Sequence, residues 1–167
     1  MTLVTADSGK NWSKPATVPE TAKGWDFKTR LAYSPNGVLV YLWKKARTDL
    51  NPNPLPPHIE TAFDVYAAIS CDGGLSWAVP IRVNAQPSLA GTDSEDDLTW
   101  VDADGHFAHL AWGDRRSLNE IKKIAGDFKG QVGQAFYGRV PFSLVHHGQV
   151  CGRLSAAVTA QRPCCVR

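Results

Sequence analysis

Two eight-residue segments repeat one pattern: Thr5-Ala-Asp7-Ser-Gly9-Lys-Asn11-Trp12 and Ser70-Cys-Asp72-Gly-Gly74-Leu-Ser76-Trp77. Each has a hydroxyl residue, then aspartate, glycine and a small polar residue at every second position, and ends on tryptophan. The physics of such a segment is local. The aspartate accepts backbone N–H groups a few residues on and closes a turn. The glycine supplies a positive φ, and the tryptophan plugs the base of the hairpin with a large apolar area. Asp7 to Asp72 is 65 residues, and Trp12 to Trp77 and Pro15 to Pro80 keep that offset. A second pair interleaves with the first. Leu31-Ala-Tyr-Ser-Pro-Asn-Gly37-Val-Leu-Val-Tyr-Leu-Trp43 is similar to Thr99-Trp-Val-Asp-Ala-Asp-Gly105-His-Phe-Ala-His-Leu-Ala-Trp112, and Gly37 to Gly105 is 68 residues. A chain with one period in two interleaved features is built from stacked copies of one unit.

Each copy parses into short strands. The first reads as strands over 30–33, 38–43, 63–70 and 77–83, with a tight turn at Ser34-Pro-Asn-Gly37, where proline fixes φ and Asn-Gly offers positive φ. The next offers 98–101, 106–112 and 133–140. Residues 38–43, Val-Leu-Val-Tyr-Leu-Trp, show no polar alternation, so both faces of that strand should be buried. In an antiparallel meander this requires layers on both sides, as in a propeller of four-stranded blades; a two-layer sandwich would leave alternating outer faces. The expected fold is therefore all-β, a partial β-propeller of four-stranded antiparallel meander blades over residues 1–141. Residues 142–167 form an atypical tail without strand patterning. The stretches 44–61 and 84–97 read as long polar loops, and 117–128 is the one weak helix candidate.

Composition sets the outer bounds. A net charge of +2 is too small to argue for nucleic acid or an anionic membrane surface, and no apolar run approaches the ~20 residues of a membrane helix. No basic region followed by an apolar stretch opens the chain, so no signal peptide is expected. Compartment is left open, and the chain reads as beginning inside a longer parent. The four cysteines, Cys71, Cys151, Cys164 and Cys165, are not spaced as a disulfide framework. Cys71 is expected to be a small buried or turn residue.

The repeated segment resembles the Asp box of bacterial neuraminidase repeats, Ser/Thr-x-Asp-x-Gly-x-Ser/Thr-Trp. The second copy matches every defined position, and the first carries Asn11 where the pattern has Ser or Thr. The likeness covers roughly residues 2–141 and implies a sialidase-like propeller. That family hydrolyses sialic-acid glycosides with a tyrosine nucleophile assisted by glutamate, an aspartate acid/base, and arginines gripping the substrate carboxylate. The family's Arg-Ile-Pro signature is absent; Pro80-Ile-Arg82 runs in the reverse order.

Asp7 and Asp72 read as turn staples, together with Thr5, Gly9, Asn11, Trp12, Ser70, Gly74, Ser76 and Trp77; catalysis or calcium is the alternative. Strand order puts those turns at one end and the long loops at the other, where binding groups gather. Site candidates are therefore Asp26, Arg30, Arg47, Asp49, Glu60, Asp93, Glu95, Asp96, Asp97, Asp114, Arg115 and Arg116. Asp96, Asp97, Arg115 and Arg116 are the weak catalytic candidates. Tyr33, Tyr41, Tyr66 and Tyr137 all fall in expected strands, so no nucleophile is assigned. His106 and His109 are expected on opposite faces of a strand, and no metal or cofactor is expected. The functional expectation is a piece of a sialidase-like propeller that is not catalytic alone, from a glycoside hydrolase parent. The alternative is a non-catalytic module binding glycans or proteins. Open propeller ends imply self-association.

Overall fold

The computed structural model describes residues 1–21, 24, 26–47, 62–89, 99–114 and 134–145. Within them, eight strands form two antiparallel sheets: β1 (Asp26–Tyr33), β2 (Leu39–Ala46), β3 (Ala62–Ser70), β4 (Ile81–Arg82), β5 (Ser88–Leu89), β6 (Thr99–Ala103), β7 (Phe107–Asp114) and β8 (Gln134–Pro141). The first sheet runs β1-β2-β3-β4, with β5 also paired to β3, and the second runs β6-β7-β8. Sequence neighbours are sheet neighbours, so each sheet is an up-and-down meander. The all-β expectation holds. No helix among the described residues is long and apolar enough to cross a membrane.

The strand limits differ from the sequence reading for local reasons. β1 begins at Asp26, because a bulge between Phe27 and Arg30, with Lys28 at φ 52°, lets pairing to β2 continue past an irregular stretch. β4 is only two residues long. Ala78 and Val83 still donate to Ile69 and Val65 on β3, but Pro80 has no N–H to give the ladder. β5 falls in a stretch read as loop. The candidate helix at 117–128 and the loop at 48–61 lie outside the described residues. Phe142, the first residue of the expected tail, is buried in the core, and its N–H donates to His106 O.

β2 is buried on both faces, as its unbroken apolar run requires. Val38, at its lip, with Val40 and Leu42 joins Phe63, Val65, Ala67 and Ile69 of β3 in one cluster with Ala103, Ala108, Leu110 and Trp112 of the second sheet. This is the junction between the sheets. Lys44 ends the same face fully buried, its Nζ 3.4 Å from Gly113 O and 4.5 Å over the Phe63 ring. The opposite face carries Leu39, Tyr41 and Trp43. At its turn end the N-terminal segment lies close, with Val4 near Gly74 and Thr2 bonded to Trp77.

The two sheets face the same way. Trp43 pairs with Tyr66 across β2 and β3, rings stacked at 5.7 Å. Trp112 pairs with Phe136 across β7 and β8, rings stacked at 6.1 Å. Trp112 points into the junction with the first sheet, and Trp43 points away from the second. Both pairs therefore look back towards the preceding layer. The β1–β2 hairpin closes at Ser34 and Val38 and the β6–β7 hairpin at Asp104 and Phe107. The second loop is one residue shorter, so beyond the turn Trp43 matches Trp112, one step off the offset set by Gly37 and Gly105.

Close packing at the junction yields a test. A Cβ on Gly138 would lie 2.7 Å from Val83 Cγ1 and 3.3 Å from the Trp112 ring. Gly138→Ala is expected to destabilise the fold by about 1–3 kcal/mol through overpacking, and Val83→Ala in the same chain should return part of that loss. Chemical denaturation of the single and double variants checks both.

Candidate functional site

The two repeated segments fold into one hydrogen-bonded form. In the first, Thr5 Oγ1 donates to Asp7 Oδ1 (2.9 Å) and accepts from Gly9 N–H (2.9 Å), and Asn11 N–H donates to Asp7 Oδ1 (2.9 Å). In the second, Ser70 Oγ donates to Asp72 Oδ1 (2.7 Å) and accepts from Gly74 N–H (2.6 Å), and Ser76 N–H donates to Asp72 Oδ1 (2.8 Å). Asn11 Nδ2 and Ser76 Oγ then take the same place on the second carboxylate oxygen. The amide thus does the work of the hydroxyl. Each turn has two successive positive φ angles, at Ser8 (60°) and Gly9 (87°), and at Gly73 (72°) and Gly74 (99°). Both oxygens of each carboxylate are engaged by the turn's own groups, as a turn staple requires.

The tryptophans diverge. Trp77 Nε1 donates to Thr2 Oγ1, and its ring meets Tyr41 edge-on at 5.9 Å. Trp12, expected to plug a core, is 59% exposed. Its indole folds back on its own turn, donating to Gly9 O at 3.1 Å. Cys71, expected as a small buried or turn residue, stands half-buried at the start of the second turn and is disulfide-bonded.

The turn ends of the sheets are tied together. Tyr33 Oη donates to Gly73 O (3.1 Å), Thr2 Oγ1 to Gly74 O (2.9 Å) and Asn36 Nδ2 to Gly105 O (3.0 Å). Such an end is built for rigidity.

The opposite end of the first sheet holds the charges. Across β1, β2 and β3, Asp26, Lys45 and Asp64 are direct neighbours in register. Lys45 Nζ lies 3.1 Å from Asp26 Oδ1. Asp64, nearly buried, is held by Arg47 Nη1 at 3.1 Å from Oδ2 and by Arg82 Nη2 at 2.8 Å from Oδ1. The Arg82 contact is a charge pair whose N–H does not line up on that oxygen. Signs alternate across the sheet. Beside this ladder, buried Asn84 accepts from Val65 N–H (2.9 Å) and donates to Gln86 O (2.8 Å).

Of the sequence candidates, the structure brings Asp26 and Arg47 to this end, and Asp114 is buried at the end of β7. Arg30 lies exposed along β1, donating to Thr29 O. Asp49, Glu60, Asp93, Glu95, Asp96, Asp97, Arg115 and Arg116 lie outside the described residues. Lys45 was missed because 44–61 was read as a loop, and Asp64 and Arg82 because each sits in an expected strand whose inward positions were taken as apolar. Their signal was available as charges of alternating sign, Lys45, Asp64 and Arg82, at the loop ends of three successive strands.

The ladder fits poorly with acid–base work. Asp64 is nearly buried with a guanidinium beside each oxygen, so a substrate would have to displace an arginine to reach it. Gripping a substrate carboxylate with Arg47 or Arg82 would strip Asp64 of a partner in a buried place. Tyr41 and Tyr66, the tyrosines nearest this end, are not activated as nucleophiles either. Burial raises the Tyr41 and Tyr66 hydroxyls above the usual range, and the Asp26 and Asp64 charges raise them further. Tyr137 Oη meets His109 Nδ1 at 2.7 Å, and His109 Nε2 meets Asp104 Oδ2 at 3.0 Å, on the outer face of the second sheet. The His109 bond is the main reason that Asp104 is held down to about 2, helped by the N–H groups of His106 and Phe107. His106 itself lies in the turn before β7, not on the strand. Among the described residues, no three His, Cys, Asp or Glu side chains group as metal ligands.

No family model, curated protein or solved structure matches this chain.

Two outcomes follow from these contacts. Burial pushes the Asp72 carboxyl up, but bonds from Ser76, Ser70 and Leu75 outweigh it and hold it below its ordinary 3.8. A lowered folded value stabilises fully above about pH 4 and less as pH falls through the folded value. The wild-type chain should therefore lose stability steadily below about pH 4. Asp72→Asn should be about 1–3 kcal/mol weaker at pH 7, with a shallower acid slope in denaturation series run across pH. Separately, Asp64→Ala should cost about 3 kcal/mol by removing the nearly buried carboxylate that Arg47 and Arg82 share, and Asp26→Ala should cost about 1–3 kcal/mol by taking the carboxylate from the buried Lys45 ammonium. Urea midpoints of the two variants give the comparison.

Proposed function

We propose that these two sheets are consecutive blades of a sialidase-type Asp-box β-propeller. The protein they build would be a glycoside hydrolase acting on sialic-acid-type glycans, and this chain would supply scaffold and not the reacting groups. The observation that carries the reading is the common facing of the Trp43–Tyr66 and Trp112–Phe136 pairs. Two sheets of a closed sandwich turn equivalent faces towards each other; blades around an axis turn them all one way. Inter-sheet backbone contact supports it too. Cα atoms come within 8 Å chiefly where β6 meets β1 and β2, as expected of blades converging on their first strands. The two repeated turns, closed by the same pattern of hydrogen bonds, support the Asp-box reading further.

A closed propeller takes about four to eight blades, and the described residues hold two. The active end of such a fold is the end of the long loops, where this chain presents charges already matched to each other. That pairing favours a second reading, in which the blades belong to a non-catalytic glycan- or protein-binding propeller, since fold does not dictate function.

A fluorogenic sialoside separates these readings. The 167-residue chain alone should show no turnover above buffer, and a complete propeller carrying these blades should hydrolyse the probe. Turnover by the chain alone would overturn the scaffold role. A complete propeller that binds sialosides without cleaving them would replace the first reading with the second.

A further inference from the structure

The outer face of β6-β7-β8 differs from the face that the first sheet offers at the junction. Following the pairing register, His109 stands where Val40 stands in the first sheet, Ala111 where Leu42 stands, Tyr137 where Ala67 stands and Arg139 where Ile69 stands. Trp100 and Tyr137 are 65% and 63% exposed on this face. They flank Ala111 in one cross-strand row, large–small–large. The adjacent row reads Asp102, His109, Arg139 across the same three strands. Asp102 and Arg139 form no ion pair among the described residues. Asp102 accepts only the neighbouring Ala103 N–H, and Arg139 lies 4.3 Å over the Phe107 ring.

The geometry points to a second copy of this chain as the occupant of that face, in an isologous dimer packed sheet against sheet. The argument is self-complementarity. A two-fold axis running along β7 between the sheets lays β6 of each copy over β8 of the other. Asp102 of each copy then falls opposite Arg139 of its partner, and Trp100 opposite Tyr137. The small Ala111 residues meet at the axis, leaving room for the larger rings on either side. The negative charge sits on one edge strand and the positive on the other edge strand, which is what this symmetry needs. The face also continues the molecule's own stacking direction, being the next surface after the junction already made between the sheets. It is only three strands wide at about 4.8 Å each, so its area sets a weak dimer at the low end of specific interfaces. The inference concerns the 167-residue chain and does not rest on the hydrolase reading, which its test leaves untouched.

Sedimentation velocity over a concentration series is the test. The wild-type chain should pass from monomer to dimer in the micromolar range. Asp102→Arg and Arg139→Asp should each weaken the dimer about tenfold or more, because each places like charges opposite one another twice. The double swap should restore it to within about threefold of wild type, a recovery that general destabilisation cannot produce. Trp100→Ser, a neutral change on the same face, should also dissociate it, and far-UV circular dichroism confirms that each variant folds. A monomer at all concentrations, single swaps without effect, or a double swap no better than the singles would each overturn the proposal.

Discussion

The burial of β2 on both faces is the constraint from which the rest follows. A strand in a free-standing meander keeps one face for solvent. This one puts Val40 and Leu42 on one side and Leu39 and Trp43 on the other, all buried. Each such side chain is worth about 1.5–3 kcal/mol when removed from water. No single second layer collects both sides of that gain. A layer is needed on each side, so the chain supplies the second sheet on one face and its N-terminal segment at the turn end of the other. Tandem stacking in one direction is the economical way for a repeated meander to do this, and the two repeated hydrogen-bonded turns make it rigid at one end.

The same constraint explains why charges enter the strands. Lys44, Lys45 and Asp64 are buried in β2 and β3, where unpaired ions would cost several kcal/mol each. Lys45 meets Asp26 and Asp64 meets two arginines, and Lys44 spends its ammonium on a carbonyl and an aromatic face. Alternating signs on adjacent strands also fix register, since a slip of one residue would move each charge to the other face. The ladder thus belongs to the architecture of the first sheet, its charges spent on one another.

The fold was readable in the sequence where local chemistry was self-sufficient. Thr5 to Trp12 and Ser70 to Trp77 each contain all partners of their own turns, so spacing alone gave the geometry, even with Asn11 in a hydroxyl's place. Strand existence followed from apolar runs. The failures came where partners are distant. Trp12 carries the same motif position as Trp77, but only Trp77 finds Thr2 and Tyr41 beside it, and nothing within eight residues encodes that. The one-residue shift between the repeats depends on hairpin loop length, which an alignment on Gly37 and Gly105 conceals. The charge ladder was hidden because burial of a lysine or aspartate depends on what the next strand brings opposite it. Asp96, Asp97, Arg115 and Arg116 fall outside the described residues.

The equivalence of the sheets extends to a shared defect. Trp43 Nε1 and Trp112 Nε1 are both buried without a hydrogen-bond partner among the described residues. An unmet N–H costs about 1–3 kcal/mol. A buried indole removes about 150–250 Å² from water, worth about 4–6 kcal/mol at 25 cal/mol per Å². The area term wins, and the flat ring also stacks on the aromatic directly across the next strand, Tyr66 in one sheet and Phe136 in the other. An isolated orphan N–H is an accident of packing. The same orphan at matched positions, each beside its cross-strand ring and each facing the preceding layer, marks a position that the repeat uses to fill the space between layers. That is why the pair of tryptophans reports the direction of stacking more directly than the turns do: the turns would form in any hairpin, while these rings need a layer to press against.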